Sequence, residues 1–80
     1  DLPELTIAEL AAEATVLTIT AHAFELAFGL KKSNGELRKQ FIMSGSVQLN
    51  GEKLIDPMAP VSLSPGDVLK LSKKHAVKWI

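Results

Sequence analysis

The apolar positions change period along the chain, from helical spacing to alternation. Thr6-Ile7-Ala8-Glu9 has the spacing of a capping box, in which the hydroxyl takes an orphan amide and the glutamate reaches back. It predicts a short helix from Ile7 to Ala14, with Ile7, Leu10 and Ala11 on one face. Val16 to Thr20 is rich in β-branched residues and is expected to be extended. Thr18 or Thr20 then caps a second helix through Phe28, whose apolar positions Phe24, Ala27 and Phe28 recur at helical spacing. Gly29 suits the left-handed residue that ends such a helix, with Leu30 as its apolar companion. Ser33-Asn34-Gly35-Glu36 is a second capping box, opening a helix to about Ser44 that stops at Gly45, with Leu37 and Phe41 facing the core.

Beyond Gly45 the period falls to two. Val47 and Leu49 alternate with Gln48 and Asn50, and Asn50-Gly51 predicts a tight hairpin turn. Pro57, Pro60 and Pro65 interrupt the next stretch, where Val61-Ser62-Leu63 reads as a short strand. Pro65-Gly66-Asp67 is a turn into a strand at Val68-Leu69-Lys70-Leu71. Ser72 to Lys74 turns back, and His75 to Ile80 returns as a last strand. Helices first and strands after predict an α+β domain with a small, mostly antiparallel sheet.

Eighty residues allow one small domain with a modest core. There is no cysteine, so disulfides and thiolate metal sites are excluded. No apolar run reaches the roughly 20 residues of a membrane-spanning helix, so no membrane partner is expected. The chain opens on Asp1 without a signal-peptide pattern, and a domain of a longer protein is expected. The formal charge is zero, but it is divided. Residues 1–30 carry Asp1, Glu4, Glu9, Glu13 and Glu25 with no Lys or Arg, and the remainder carries all nine basic residues against Glu36, Glu52, Asp56 and Asp67. The halves are therefore −5 and +5, an asymmetry that points to nucleic acid or an acidic surface.

Catalysis finds little support. His22 and His75 are far apart and in no ligand spacing, the carboxylates fall at caps and turns, and there is no Gly-rich phosphate loop. His22 reads as an ordinary helix residue, and His75 as an addition to the basic turn. Lys70-Leu71-Ser72-Lys73-Lys74 looks like the mobile KMSKS loop of class I aminoacyl-tRNA synthetases. That loop serves a nucleotide-binding domain which a chain of this length and pattern does not supply, so the segment reads as a strand running into a turn. RNA binding is better supported. Lys31 and Lys32 precede a helix N-terminus, Arg38 and Lys39 follow one turn in, Lys53 lies past the hairpin turn, and Lys73, Lys74 and Lys78 form a second cluster. The competing reading is a solvated face of ordinary lysines. Aromatics are few, and Phe24, Phe28, Phe41 and Trp79 read mainly as core. Folded RNA met by shape and backbone is thus a better expectation than base stacking.

The order Ser33-x-x-Glu36-Leu37-Arg38-Lys39, Gly45, Val47-x-Leu49-Asn50-Gly51-Glu52-Lys53 resembles the S4 RNA-binding domain, whose pattern is a serine cap, E-A-R-R, a glycine and V-x-V-N-G. Asp56-Pro57, Pro65-Gly66-Asp67-Val68-Leu69-Lys70 and Ser72-Lys73-Lys74 extend the likeness over about Thr18 to Ile80. The ending looks most like the C-terminal domain of the bacterial-type tyrosyl-tRNA synthetases. The resemblance implies an S4-like (alpha-L) fold over residues 18–80, preceded by an acidic helical segment or linker over 1–17. It implies a non-catalytic, cytoplasmic appendage that clasps tRNA-Tyr near the anticodon stem and long variable arm. ATP, Mg and dimerisation belong to the parent ligase's separate catalytic domain, so no cofactor is expected in this one. RNA contacts carry over to Lys31, Lys32, Ser33, Asn34, Arg38 and Lys39, and less directly to Lys53, Lys73 and Lys74.

Four departures stand out. Lys39 replaces an arginine and loses its fork geometry, and Leu37 replaces the usual alanine. Ser33 to Gly51 is one residue longer than the pattern, which leaves the turn at Ser44 to Ser46 unspecified. The acidic N-terminal segment has no counterpart in the pattern. Two alternatives stay open. One is an S4 domain of an rRNA pseudouridine synthase or ribosome-associated factor, where the domain usually sits near the N-terminus. The other is a protein-interaction module that docks its acidic N-terminal helix on a basic partner.

Overall fold

The structure, a computed structural model, describes residues 2–9 and 14–80. The chain begins with a strand, β1 (Glu4–Leu5), followed by a 3₁₀ turn at Ile7–Glu9. That turn stands where a helix from Ile7 is expected, and the rest of that predicted helix lies largely outside the described residues. Helix α1 (Val16–Phe28) is the long element. A short helix α2 (Asn34–Glu36) runs directly into a π-helical segment, Leu37–Ile42. The strands β2 (Gln48–Leu49), β3 (Glu52–Lys53), β4 (Val68–Lys70) and β5 (Ala76–Trp79) complete an α+β fold. The described residues form one mixed sheet in the order β1-β5-β4-β2-β3. Only the β1–β5 pair is parallel, and the other three are antiparallel.

Val16 to Thr20 is helical, contrary to the extended expectation. The cap is Thr15. Its Oγ1 accepts from the Thr18 N–H (3.3 Å), and Thr18 Oγ1 accepts in return from the Thr15 N–H (2.8 Å). The next two amides, of Val16 and Leu17, donate to Ala59 O (3.1 Å) and Pro57 O (3.0 Å), so the proline loop satisfies the helix start. β-Branched residues cost at most about 0.7 kcal/mol each in a helix, whereas burying a Val or Ile side chain returns about 1.5–3 kcal/mol. Val16 and Ile19 are both fully buried, so burial decides. The buried Thr20 hydroxyl donates to Val16 O (2.7 Å) and leaves no orphan. Gly29 ends the helix in the left-handed region (φ 66°) as expected, with its N–H on Glu25 O. Leu30, the expected apolar companion, is 37% exposed.

The second capping box is half realised. Ser33 Oγ accepts from the Glu36 N–H (3.2 Å), but the Glu36 carboxylate turns to Lys32 (3.6 Å). Leu37 and Ile42, five residues apart, are both completely buried, and the Met43 N–H bonds Arg38 O with i→i+5 spacing (2.8 Å). Such a turn takes one residue more than an α-turn between the same end points. The added residue therefore lies in the helix, ahead of the turn at Ser44 to Ser46. Phe41, expected in the core, is half-buried and meets Phe24 edge-on (centroids 5.0 Å apart).

The hairpin forms at Asn50-Gly51, both with positive φ (52° and 87°), the requirement of a type I′ turn. Asn50 also ties the hairpin to β4. Its Oδ1 accepts from the Val68 N–H (2.9 Å) and its Nδ2 donates to Asp67 Oδ1 (3.0 Å). Val61-Ser62-Leu63 is not a strand. Val61 N–H donates to Ala14 O, and a single bridge pairs Thr15 with Pro60, so this stretch is spent holding the start of α1. Leu5, Leu69, Leu71, Val77 and Trp79 are buried beneath α1 and the second helix, which leaves the opposite sheet face to solvent. His22 stacks at 6.0 Å on Trp79, and His22 Nε2 and Trp79 Nε1 are buried without a protein partner.

Candidate nucleic-acid interface

The predicted site residues fall into two groups. The first surrounds the start of the second helix. Ser33, at the cap, and Asn34, the first helical residue, are exposed. Lys31 just before them and Arg38 and Lys39 one turn in are exposed as well. By helix geometry the amides of Asn34 and Gly35 have no partner inside the helix, because the Ser33 hydroxyl serves Glu36. Lys32 differs from its neighbours. Its ammonium sits 5.2 Å from the Phe41 ring centroid and 5.5 Å from that of Phe24, and it pairs with Glu36. Ring faces and a carboxylate thus hold a cation that the sequence places with the free ones.

The second group lies across the sheet. Lys53, Lys70 and Lys73 line a cleft of about 250 Å³ with Ser44, Gly45, Ser46, Gln48 and Ser72. Lys70, Lys73 and Lys74 line a neighbouring groove of about 430 Å³ that also takes in Phe28 and His75. Lys53 therefore belongs with Lys73 and not with the Lys31–Lys39 stretch. Lys78 does not join Lys73 and Lys74, because its register partners are Val68 and Glu4, at the far edge of the sheet. Lys70, absent from the sequence-predicted site, lines both grooves, as Ser72 and Lys73 do. Its signal was the alternation of Val68-Leu69-Lys70-Leu71, which puts Lys70 on the solvent side opposite buried Leu69 and Leu71. As expected, Lys70 ends a strand and Ser72 to Lys74 form a bend.

The groups are joined by an aromatic wall. Lys32 rests on Phe24 and Phe41. The His75 ring meets Phe28 edge-on at 4.5 Å and lies 5.9 Å from Phe24. His75 Nδ1 is 3.0 Å from Ser72 Oγ, so this histidine braces the β4–β5 turn. Among the described residues, Lys32–Glu36 is the one ion pair, and the other eight basic side chains have no carboxylate partner. Asp67 is committed elsewhere. Its oxygens accept from the Ser64 N–H (2.8 Å) and from Asn50, and these bonds, the backbone one first, lower its pKa against a small opposing effect of burial. The arrangement offers fixed positive charge and donors, with no acid–base or nucleophilic constellation assembled among the described residues.

No helix among the described residues is long and apolar enough to cross a membrane. No family model matches the chain. It is similar to the tyrosine–tRNA ligase of Symbiobacterium thermophilum, 37% identical over 76 residues, a match covering 92% of this chain and 17% of the relative. The matched part is the C-terminal region of that ligase, so the likeness is to a synthetase-related domain and leaves most of the relative's length outside the comparison.

Proposed function

We propose that this chain is an S4-like RNA-binding appendage of a tyrosyl-tRNA synthetase, which holds tRNA-Tyr around the anticodon stem and variable arm for a separate catalytic domain. The observation that carries this reading is that Lys31, Arg38, Lys39, Lys53, Lys70, Lys73 and Lys74 gather in two groups with no carboxylate partner among the described residues. A surface of that kind is costly to keep in a neutral domain and is relieved by a polyanion. The similarity to the C-terminal part of a tyrosine–tRNA ligase supports the choice of RNA. Arg38 and Lys39, with Lys31, Ser33 and Asn34, are the helix-side contacts, and Lys32 positions that helix through its aromatic seat. The domain performs no chemistry, and the ATP and Mg of the ligase reaction fall to the catalytic domain, with no residue of this chain assigned to them. The parent is cytoplasmic and dimerises through the catalytic domain.

The test is an NMR titration of the chain with tRNA-Tyr and with a tRNA lacking the long variable arm, at two salt concentrations. Salt-sensitive shifts centred on Lys31 to Lys39, stronger for tRNA-Tyr, are expected. Arg38→Ala with Lys39→Ala lowers the slope of log K against log salt by up to about two. Equal response to both RNAs would reassign the parent, for instance to an rRNA-modifying enzyme. No response at low salt would overturn RNA binding. Deleting residues 1–14 does not separate out the interaction-module alternative, because it also removes β1 from the sheet.

A further inference from the structure

We propose that the cleft bounded by the turn at Ser44 to Ser46, the β2–β3 hairpin and Lys70 to Lys73 receives a phosphodiester of bound RNA, separate from the phosphates met by Arg38 and Lys39. This rests on the RNA-binding reading and extends it to Lys70, and to one joint site for Lys53, Lys70 and Lys73. The register carries the argument. Gln48 pairs with Lys53 on one side and with Lys70 on the other, so the two lysines flank it in one cross-strand row. Their Cα atoms are two strand spacings apart, roughly 10 Å. The adjacent row, Leu49, Leu69 and Val77, points into the core, which puts the lysine row on the open face. Lys73 enters the same cleft from the β4–β5 turn.

The lining contains three lysines, three serines and Gln48, and no carboxylate. Two acids in or next to the same strands stay out of that lining. Glu52 pairs with Leu49 in the inward row, and Asp67 is held by Ser64 and Asn50. Gly45 completes the site. At φ 86° it suits glycine, and a Cβ there would lie 3.6 Å from Lys53 Cδ and 3.9 Å from its Nζ, so the Lys53 chain runs over the bare backbone into the cleft. Like charges two strands apart in one row repel weakly in the free protein, and a phosphate between them reverses the sign of the interaction. The RNA path then runs from Lys31–Lys39, past the end of the π-helical segment, onto the sheet.

The experiment is fluorescence anisotropy of labelled tRNA-Tyr with the 80-residue chain over a salt series. Wild type is compared with Arg38→Ala/Lys39→Ala, with Lys53→Gln/Lys70→Gln/Lys73→Gln, and with Lys78→Gln beside Glu4. The cleft triple is expected to lower the salt slope by about 0.7–0.9, the share of one phosphate, and Lys78→Gln to leave it unchanged. If the triple fails to fold, judged by circular dichroism, the single variants Lys53→Gln and Lys73→Gln are each expected to lower the slope by a part of that amount, and the two together by about 0.7–0.9. A wild-type slope in the cleft variants, with a reduced one in the helix variant, overturns this inference and leaves RNA binding standing. No binding by the wild type at low salt overturns both.

Discussion

Replacing Asn50 by alanine tests how the hairpin that carries Lys53 is held. The substitution removes the bond from Nδ2 to the Asp67 carboxylate (3.0 Å) and the bond that Oδ1 accepts from the Val68 N–H (2.9 Å). It also forces alanine into a left-handed conformation at φ 52°. A hydrogen bond to a charged group contributes about 1.5–3 kcal/mol and a neutral one about 0.5–1.5 kcal/mol, and exposure to water puts both at the low end. The left-handed backbone adds about 1 kcal/mol for a residue other than Gly, Asn or Asp. The expected loss is about 3 kcal/mol, from a domain whose length suggests a total of about 4–12 kcal/mol. Trp79 is the only tryptophan and is fully buried, so its fluorescence reports urea unfolding directly. With a slope near 1–1.5 kcal/mol/M, the midpoint should fall by about 2–3 M. The same variant carries a pH signature. The Asp67 pKa lies below its ordinary value of 3.8 through Ser64 first and Asn50 second. A depressed carboxylate stabilises the fold above its unfolded pKa, and that stability is lost as pH falls through the lower folded value. Without Asn50 the acid loss should be smaller and be complete at a higher pH, because only the folded value moves. A midpoint shift under about 0.5 M with an unchanged acid limb would refute the claim that Asn50 clips the hairpin to β4.

Two further outcomes follow from the helical side. Lys32→Ala should cost about 0.5–1.5 kcal/mol in urea unfolding, through its lost seat on Phe24 and Phe41 and its pair with Glu36, while hardly changing the salt slope of RNA binding. A slope reduced by nearly one would instead place Lys32 against a phosphate. Deleting Gln40 should convert the π-helical segment to α-helix, since it brings Leu37 and Ile42 to four-residue spacing with both still facing the core. A dispersed amide spectrum is the expected result, and an unfolded one would show that the extra residue is required for packing.

Several features of this protein are properties of short stretches and were legible without the fold. Ser33 caps a helix because its hydroxyl reaches an amide three residues on, Gly29 ends one because it tolerates positive φ, and Asn50-Gly51 turns the chain for the same reason. The alternation in Val68 to Leu71 and Ala76 to Trp79 located β4 and β5. The concentration of basic residues after residue 30 was equally plain. Tertiary structure decided the rest, in each case through a partner distant in sequence. Glu4–Leu5 is a strand only because β5 offers it an edge, and two residues carry no period to detect. Val16 to Thr20 is helical because burial of Val16 and Ile19, with the carbonyls of Pro57 and Ala59 taking the first amides, outweighs a small local preference for extension. The spacing of Leu37 and Ile42 selects a π-turn only once both side chains must reach one core. Which lysines act together was likewise set by strand register. It put Lys70 beside Lys53 across Gln48 and left Lys78 next to Glu4, because neighbours in a sheet are chosen by backbone pairing and not by distance along the chain.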